Sequence, residues 1–291
     1  MSFVRFGKIA AWPAASRTVL LVAAACVLSL SACSVFDSLK NDQEDESAKY
    51  VERPVDQIYA DAWKNIRAHS WEEAAKQFDE VERQHPFSIW ARRAMLMSAF
   101  CYYQANKYPE AISAADQFIQ LHPGSPEVAY AFYLKARSLY EQIVDVGRDQ
   151  SNTEQALTAL QDVVQRFPNT EYARDASLKI DLTQDHLAGK EMEVGRYYLR
   201  RGDYIGAINR FRIVVERYQR TPQIAEALER LTEAYYAMGI YGEAKTAAAV
   251  LGANYPGSFW YQDAYDLLVT HHMKPELNPE SWITRLFKSP V

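Results

Sequence analysis

The phrase RQHPFSIWARRA at 83–94 is nearly repeated three times, as QLHPGSPEVAYA at 120–131, QRFPNTEYARDA at 165–176 and NYPGSFWYQDA at 254–264. In each, His or an aromatic residue precedes proline, and Ser88, Ser125, Thr170 or Ser258 follows two positions later. Proline lacks an N–H and clashes with the preceding turn, so it ends a helix. A Ser or Thr hydroxyl accepts the unsatisfied N–H groups at the start of the next one. Each phrase therefore reads as the end of one helix and the beginning of another. Ser125-Pro126 and Thr221-Pro222 also place proline at the favoured first helical position.

Between these junctions runs a second recurring pattern. WEEAAKQFDEVERQHP (71–86), YPEAISAADQFIQLHP (108–123), NTEQALTALQDVVQRFP (152–168), YIGAINRFRIVVERYQRTP (204–222) and YGEAKTAAAVLGANYP (241–256) align on Ala74, Ala111, Ala156, Ala207 and Ala244. Helix pairs near a 34-residue period, with small residues where helices cross and proline at the end, resemble tetratricopeptide repeats. The turns ANKY, RRGDY and MGIYG put Asn or Gly where a left-handed helix end belongs. No strand-type alternation persists. The fold class expected is all-α, a tetratricopeptide-repeat solenoid of five helix pairs. Repeats 1–3 are expected over 55–168, a long helix with repeats 4–5 over 169–270, and a tail over 271–291. The long helix runs from Thr170 to Arg201 without a proline, with Gly189 and Gly195 as the places for a kink.

The N-terminal 32 residues carry Arg5, Lys8, Arg17 and no acid, followed by an apolar run from Thr18 to Ala32. That is the form of a secretory signal, too short and wrongly flanked for a membrane span. Leu30-Ser31-Ala32-Cys33 resembles a bacterial lipobox, which implies cleavage before Cys33 and a covalent lipid (diacylglycerol and N-acyl) on it. Several acyl chains hold a protein to a bilayer stably where one does not. Ser34, with no Asp after the cysteine, points to the periplasmic face of the outer membrane. The acidic, aperiodic stretch 34–52 reads as part of a flexible tether over 33–54. Without the signal, 29 basic residues face 37 acidic ones, which argues against a nucleic-acid partner. Cys101, among apolar neighbours, is expected to be a buried, inert thiol.

The phrases RFPNTEYARDA, LAGKEMEVGRYYLRRGDYIGAINRF and VVERY closely resemble the BamD family of outer-membrane assembly lipoproteins. The resemblance spans roughly Val55 to Leu268 and leaves out the tail. It implies a non-enzymatic scaffold of the β-barrel assembly complex. In that family the C-terminal repeats dock on the periplasmic domains of the barrel-forming subunit BamA. The N-terminal repeats are proposed to receive the extended signal strand of unfolded outer-membrane proteins. Accessory Bam lipoproteins are further implied partners. The family arginine associated with the BamA contact maps onto Arg201, and Arg196 and Arg200 lie one helical turn apart beside it. The bland reading of these arginines is a solvated face balanced by neighbouring acids.

Set at their usual repeat positions, Tyr59, Trp63, Phe100, Tyr103, Tyr133 and Arg137 point towards the groove. Aromatics suit an extended apolar peptide and Arg137 its carboxylate; the alternative is ordinary inter-repeat packing. His85 and His122 occupy equivalent repeat positions, and His271-His272 point to different faces, so no metal site or cofactor is expected. No phosphate loop, nucleophile elbow or zinc-protease motif is present. Glu280-Ser281 matches a transglycosylase dipeptide, but ten residues cannot wall a catalytic cleft. A scaffold for cell division or peptidoglycan synthesis is the other reading; it would call for an oligomerisation segment ahead of the repeats. The tail is expected to cap the last repeat.

Overall fold

A computed structural model of the chain describes residues 52–288. The signal 1–32, Cys33 and nearly all of the 33–54 tether lie outside the described residues. Twelve α-helices follow one another among the described residues. Repeats 1 to 3 are α1 (Val55–Arg67) with α2 (Trp71–Gln84), α3 (Ala91–Gln104) with α4 (Tyr108–Leu121), and α5 (Val128–Tyr140) with α6 (Ser151–Arg166). Repeats 4 and 5 are α7 (Glu171–Arg200) with α8 (Tyr204–Arg217), and α9 (Ile224–Ala237) with α10 (Tyr241–Asn254). They are followed by α11 (Phe259–Thr270) and α12 (Trp282–Lys288). Each helix packs on the next from α1 to α11, as in an all-α tetratricopeptide solenoid. None of them is long and apolar enough to cross a membrane.

The five anchor alanines are fully buried, where a larger side chain would hold the helices of a pair apart. In four of the five pairs the chain reverses through one left-handed residue, His69, Asn106, Gly202 or Gly239; the longer α5–α6 connection of repeat 3 has none. The N–H that follows closes back five residues, as from Lys107 to the Tyr102 carbonyl (2.9 Å) and from Ile240 to that of Tyr235 (2.9 Å). His272 makes the same turn after α11, with the Met273 N–H on the Leu268 carbonyl at 2.9 Å.

The proline phrases form a second standard joint. The N–H groups of Ser88, Ser125, Thr170, Thr221 and Ser258 each close on the carbonyl three residues back, at 3.0–3.1 Å. The Thr170 hydroxyl then accepts the Ala173 N–H (3.2 Å), Ser258 that of Tyr261 (3.1 Å) and Ser88 that of Ala91 (3.1 Å). Ser125-Pro126 and Thr221-Pro222 differ from expectation. There the first turn is the tighter i→i+3 kind, Val128 to Ser125 at 3.1 Å and Ile224 to Thr221 at 3.4 Å, so the α-helix starts beyond the proline.

Helix α7 is unbroken over its 30 residues, including Gly189 and Gly195. Gly195 lets α8 approach, since a Cβ there would lie 2.4 Å from the Phe211 ring. Beyond α11 the tail returns across repeat 5. Lys245 bridges to Glu276 (2.7 Å), the Asn278 N–H donates to Thr246 (3.2 Å), and Ile283 of α12 is fully buried in the C-terminal core.

Candidate binding surfaces

The groove residues fall into three groups. Tyr59 and Trp63 of α1 belong to the core of repeat 1. The Tyr59 ring lies 5.4 Å from that of Phe78 and 4.7 Å from Trp90, and its hydroxyl is buried without a hydrogen-bond partner. Phe100 of α3 meets Trp71 edge-on at 6.1 Å, within the same cluster. Tyr103, Tyr133 and Arg137 come together between α3 and α5.

Arg137 is the centre of that third group. It donates to the Tyr133 hydroxyl (3.3 Å), lies over the Tyr103 ring (5.3 Å) and sits 3.6 Å from Glu141. Tyr103 donates to Glu141 (3.2 Å) and Tyr133 to Asp175 of α7 (2.7 Å). Burial pushes the Tyr133 hydroxyl up to about 12, and its bond to Asp175 adds to the effect. Burial alone would raise the Asp175 carboxyl, but the bonds from Tyr133 and Lys179 hold it below the usual range. Tyr172 stacks on Tyr133 at 5.2 Å and Tyr130 lies 5.5 Å from Tyr172, so α7 closes the group on one side. Its chemistry is that of a guanidinium framed by phenol rings and paired with the Glu141 carboxylate.

The three candidate docking arginines, Arg196 and Arg200 of α7 and Arg201 just past its end, divide. Arg196 turns towards α9 and holds both Glu226 carboxylate oxygens at 3.0 Å. Next to it Arg230 meets Glu233 (2.8 Å), Glu229 (3.3 Å) and Glu226 (3.7 Å) and lies 5.4 Å from the Trp260 ring centre. Glu229 is buried, with one carboxylate oxygen lacking a hydrogen-bond partner. Burial pushes it up to about 7; Glu233, Asp263 and Glu226 push the same way, and Arg230 pulls against them. Arg200 and Arg201 are exposed at the far end of the helix, where Arg201 donates to the Tyr197 hydroxyl at 2.7 Å. Tyr197 is itself 47% exposed, so this end is an aromatic and basic surface.

Sequence reading missed Trp90, Tyr130, Tyr172, Asp175 and the Glu226–Arg230–Glu229 group. Tyr130 carried a usable signal, one helical turn before Tyr133. The others join through tertiary packing. Cys101 is fully buried, and burial pushes its thiol up to about 12. Glu280 is exposed, and the adjacent Ser281 hydroxyl donates to Glu243 at 2.6 Å.

The family described as YfiO, outer membrane lipoprotein, matches residues 51–269. The outer membrane protein assembly factor BamD of Caulobacter vibrioides is 55% identical over 230 residues, covering 79% of this chain and 75% of that protein. BamD of Rickettsia prowazekii is 45% identical, over 74% of this chain and 86% of its own. BamD of Neisseria meningitidis serogroup A is 32% identical, over 82% and 92%. With its repeats, its long α7 and the arginine-bearing end of that helix all inside the matched span, the chain belongs to the outer membrane lipoprotein family, alongside these BamD assembly factors.

Proposed function

We propose that the chain is a non-enzymatic scaffold for outer-membrane protein assembly, held at the periplasmic face of the outer membrane by lipid on Cys33. The observation that carries this reading is the 55% identity to an outer membrane protein assembly factor over 230 residues. The scaffold acts by holding, not by bond making. With Arg196 engaged by Glu226 behind it, the exposed Arg200–Arg201–Tyr197 end suits docking to an acidic patch on the barrel-forming subunit. Its rigid backbone keeps the cost of ordering that contact low. Arg137 and its tyrosine frame suit the terminal carboxylate of an unfolded barrel protein, with Glu141 yielding its place; half-buried Trp63 and Phe100 leave an apolar edge in the same half, while Tyr59 is taken up by the core of repeat 1. Tying the two ends to one rod raises the effective concentration of substrate at the barrel subunit.

The test is affinity purification of the native lipidated chain in mild detergent, with mass spectrometry of its stoichiometric companions. A membrane β-barrel protein with periplasmic domains is expected, and Arg201→Glu should weaken its recovery. Recovery of division or peptidoglycan-synthesis enzymes without any barrel protein would refute the proposal. An unchanged yield with Arg201→Glu would remove Arg201 from the docking end.

A further inference from the structure

A cavity of about 430 Å³ opens between α5 and α6, floored by Phe132 and Leu139 and walled by Glu154, Gln155, Thr158 and Asp162. Its meaning follows from the repeat register. Counted from the anchor alanines Ala156 and Ala244, Gln155 corresponds to Glu243 and Thr158 to Thr246. Counted from the first residues of α5 and α9, Leu139 corresponds to Tyr235. Counted from Ala111 and Ala207, Asp116 corresponds to Arg212. Asp116 reaches the open cavity through its ion pair with Lys135 at 2.7 Å.

Those four counterparts are the residues that hold the tail. The Trp282 indole donates to Tyr235 (3.2 Å) beneath the Arg212 guanidinium (4.7 Å from the ring centre). Ser281 donates to Glu243 (2.6 Å) and the Asn278 N–H to Thr246 (3.2 Å). The molecule thus contains the same groove twice, once filled by its own short helix and once open.

We infer that the groove between α5 and α6 is a docking site for a short amphipathic helix of another protein, with an aromatic-led apolar face and a basic flank. The filled groove establishes the shape that fits. The charge of the open one defines the flank. Arg212, Gly242 and Val250 of the filled groove are replaced by Asp116, Glu154 and Asp162. The nearby cations are already engaged, Lys135 by Asp116 and Arg166 by Asp162 at 3.9 Å. Exposed Glu154 is left facing the opening. A lysine or arginine on the incoming helix meets it there, while apolar side chains cover Phe132 and Leu139. The chain's own tail is not the occupant, because Ile283 is fully buried in its own groove.

The test uses a fluorescent peptide of residues 278–288 (NPESWITRLFK), which carries the aromatic lead and the basic Arg285 and Lys288. Anisotropy is titrated with the full chain and with two variants at exposed positions, Thr158→Trp to plug the cavity and Glu154→Lys to reverse its charge. Saturable binding is expected, weakened about tenfold or more by Thr158→Trp and several-fold by Glu154→Lys. No saturable binding, or binding unchanged in both variants, overturns the inference. Self-association that is lost on deleting residues 271–288 would assign the groove to a second copy and overturn the choice of a different protein.

Discussion

Replacing Glu229 by glutamine should make the difference in stability between the two proteins change sign with pH. The displacement of the Glu229 carboxyl from 4.5 to about 7 follows from burial, reinforced by Glu233, Asp263 and Glu226, and is only partly opposed by Arg230. That displacement corresponds to about 3 kcal/mol between the two protonation states. Because the folded value lies above the unfolded one, the folded chain holds a proton that the unfolded chain gives up. The stabilisation is fully present below pH 4.5 and is lost as pH rises through about 7. Between pH 5 and 8 the wild type should therefore lose about 2–3 kcal/mol from this group, and the glutamine variant none of it. The new amide must sit where one carboxylate oxygen has no hydrogen-bond partner, at a cost of about 1–2 kcal/mol at every pH. The variant should be less stable than wild type near pH 5 and more stable by about 1–2 kcal/mol at pH 8. Urea titrations followed by circular dichroism across that range measure the difference. A difference that stays constant from pH 5 to 8 would refute the reasoning.

Other outcomes follow from single contacts. Gly195→Ala should destabilise by about 1–2 kcal/mol in thermal unfolding, because the helix gains propensity but the new methyl meets the Phe211 ring at 2.4 Å. Trp282→Ala should cost about 2–3 kcal/mol and make residues 271–288 the first site of limited proteolysis, since Trp282 joins the tail to Tyr235 and Arg212. Cys101 should resist alkylation at pH 8 until the chain is unfolded in urea, its thiol being fully buried and pushed up to about 12.

What could be read from the residues was what local chemistry determines. The proline phrases mark helix junctions because a missing N–H and a nearby hydroxyl act within four residues, and the Asn106, Gly202 and Gly239 turns were legible for the same reason. His69 and His272 make the same left-handed turn, a position histidine tolerates much as asparagine does, so that signal was present and went unread. The proline starts of α5 and α9 were misplaced by two residues, since i→i+3 and i→i+4 closures use the same residues. At the binding surfaces the limit is distance along the chain. The four-residue spacing of Arg196 and Arg200 suggests one shared role, but Glu226, thirty residues on, takes Arg196 while Arg200 stays exposed. Likewise Asp175 and Tyr172 reach Tyr133 only because α7 packs on α5 and α6.

Helix α7 carries a consequence for how the chain melts. In an ordinary repeat array each unit touches only its neighbours, and unfolding can stop at any joint between them. Here one continuous helix of 30 residues, about 45 Å long, packs against α5 and α6 near one end and α8 along the other. Repeat 3 packs on the first part of the helix that repeat 4 is built from, so fraying that reaches either one strips packing from the same helix. The weakest joints should then lie outside this pair, leaving the middle of the array as one cooperative block and the two ends as the parts that open first.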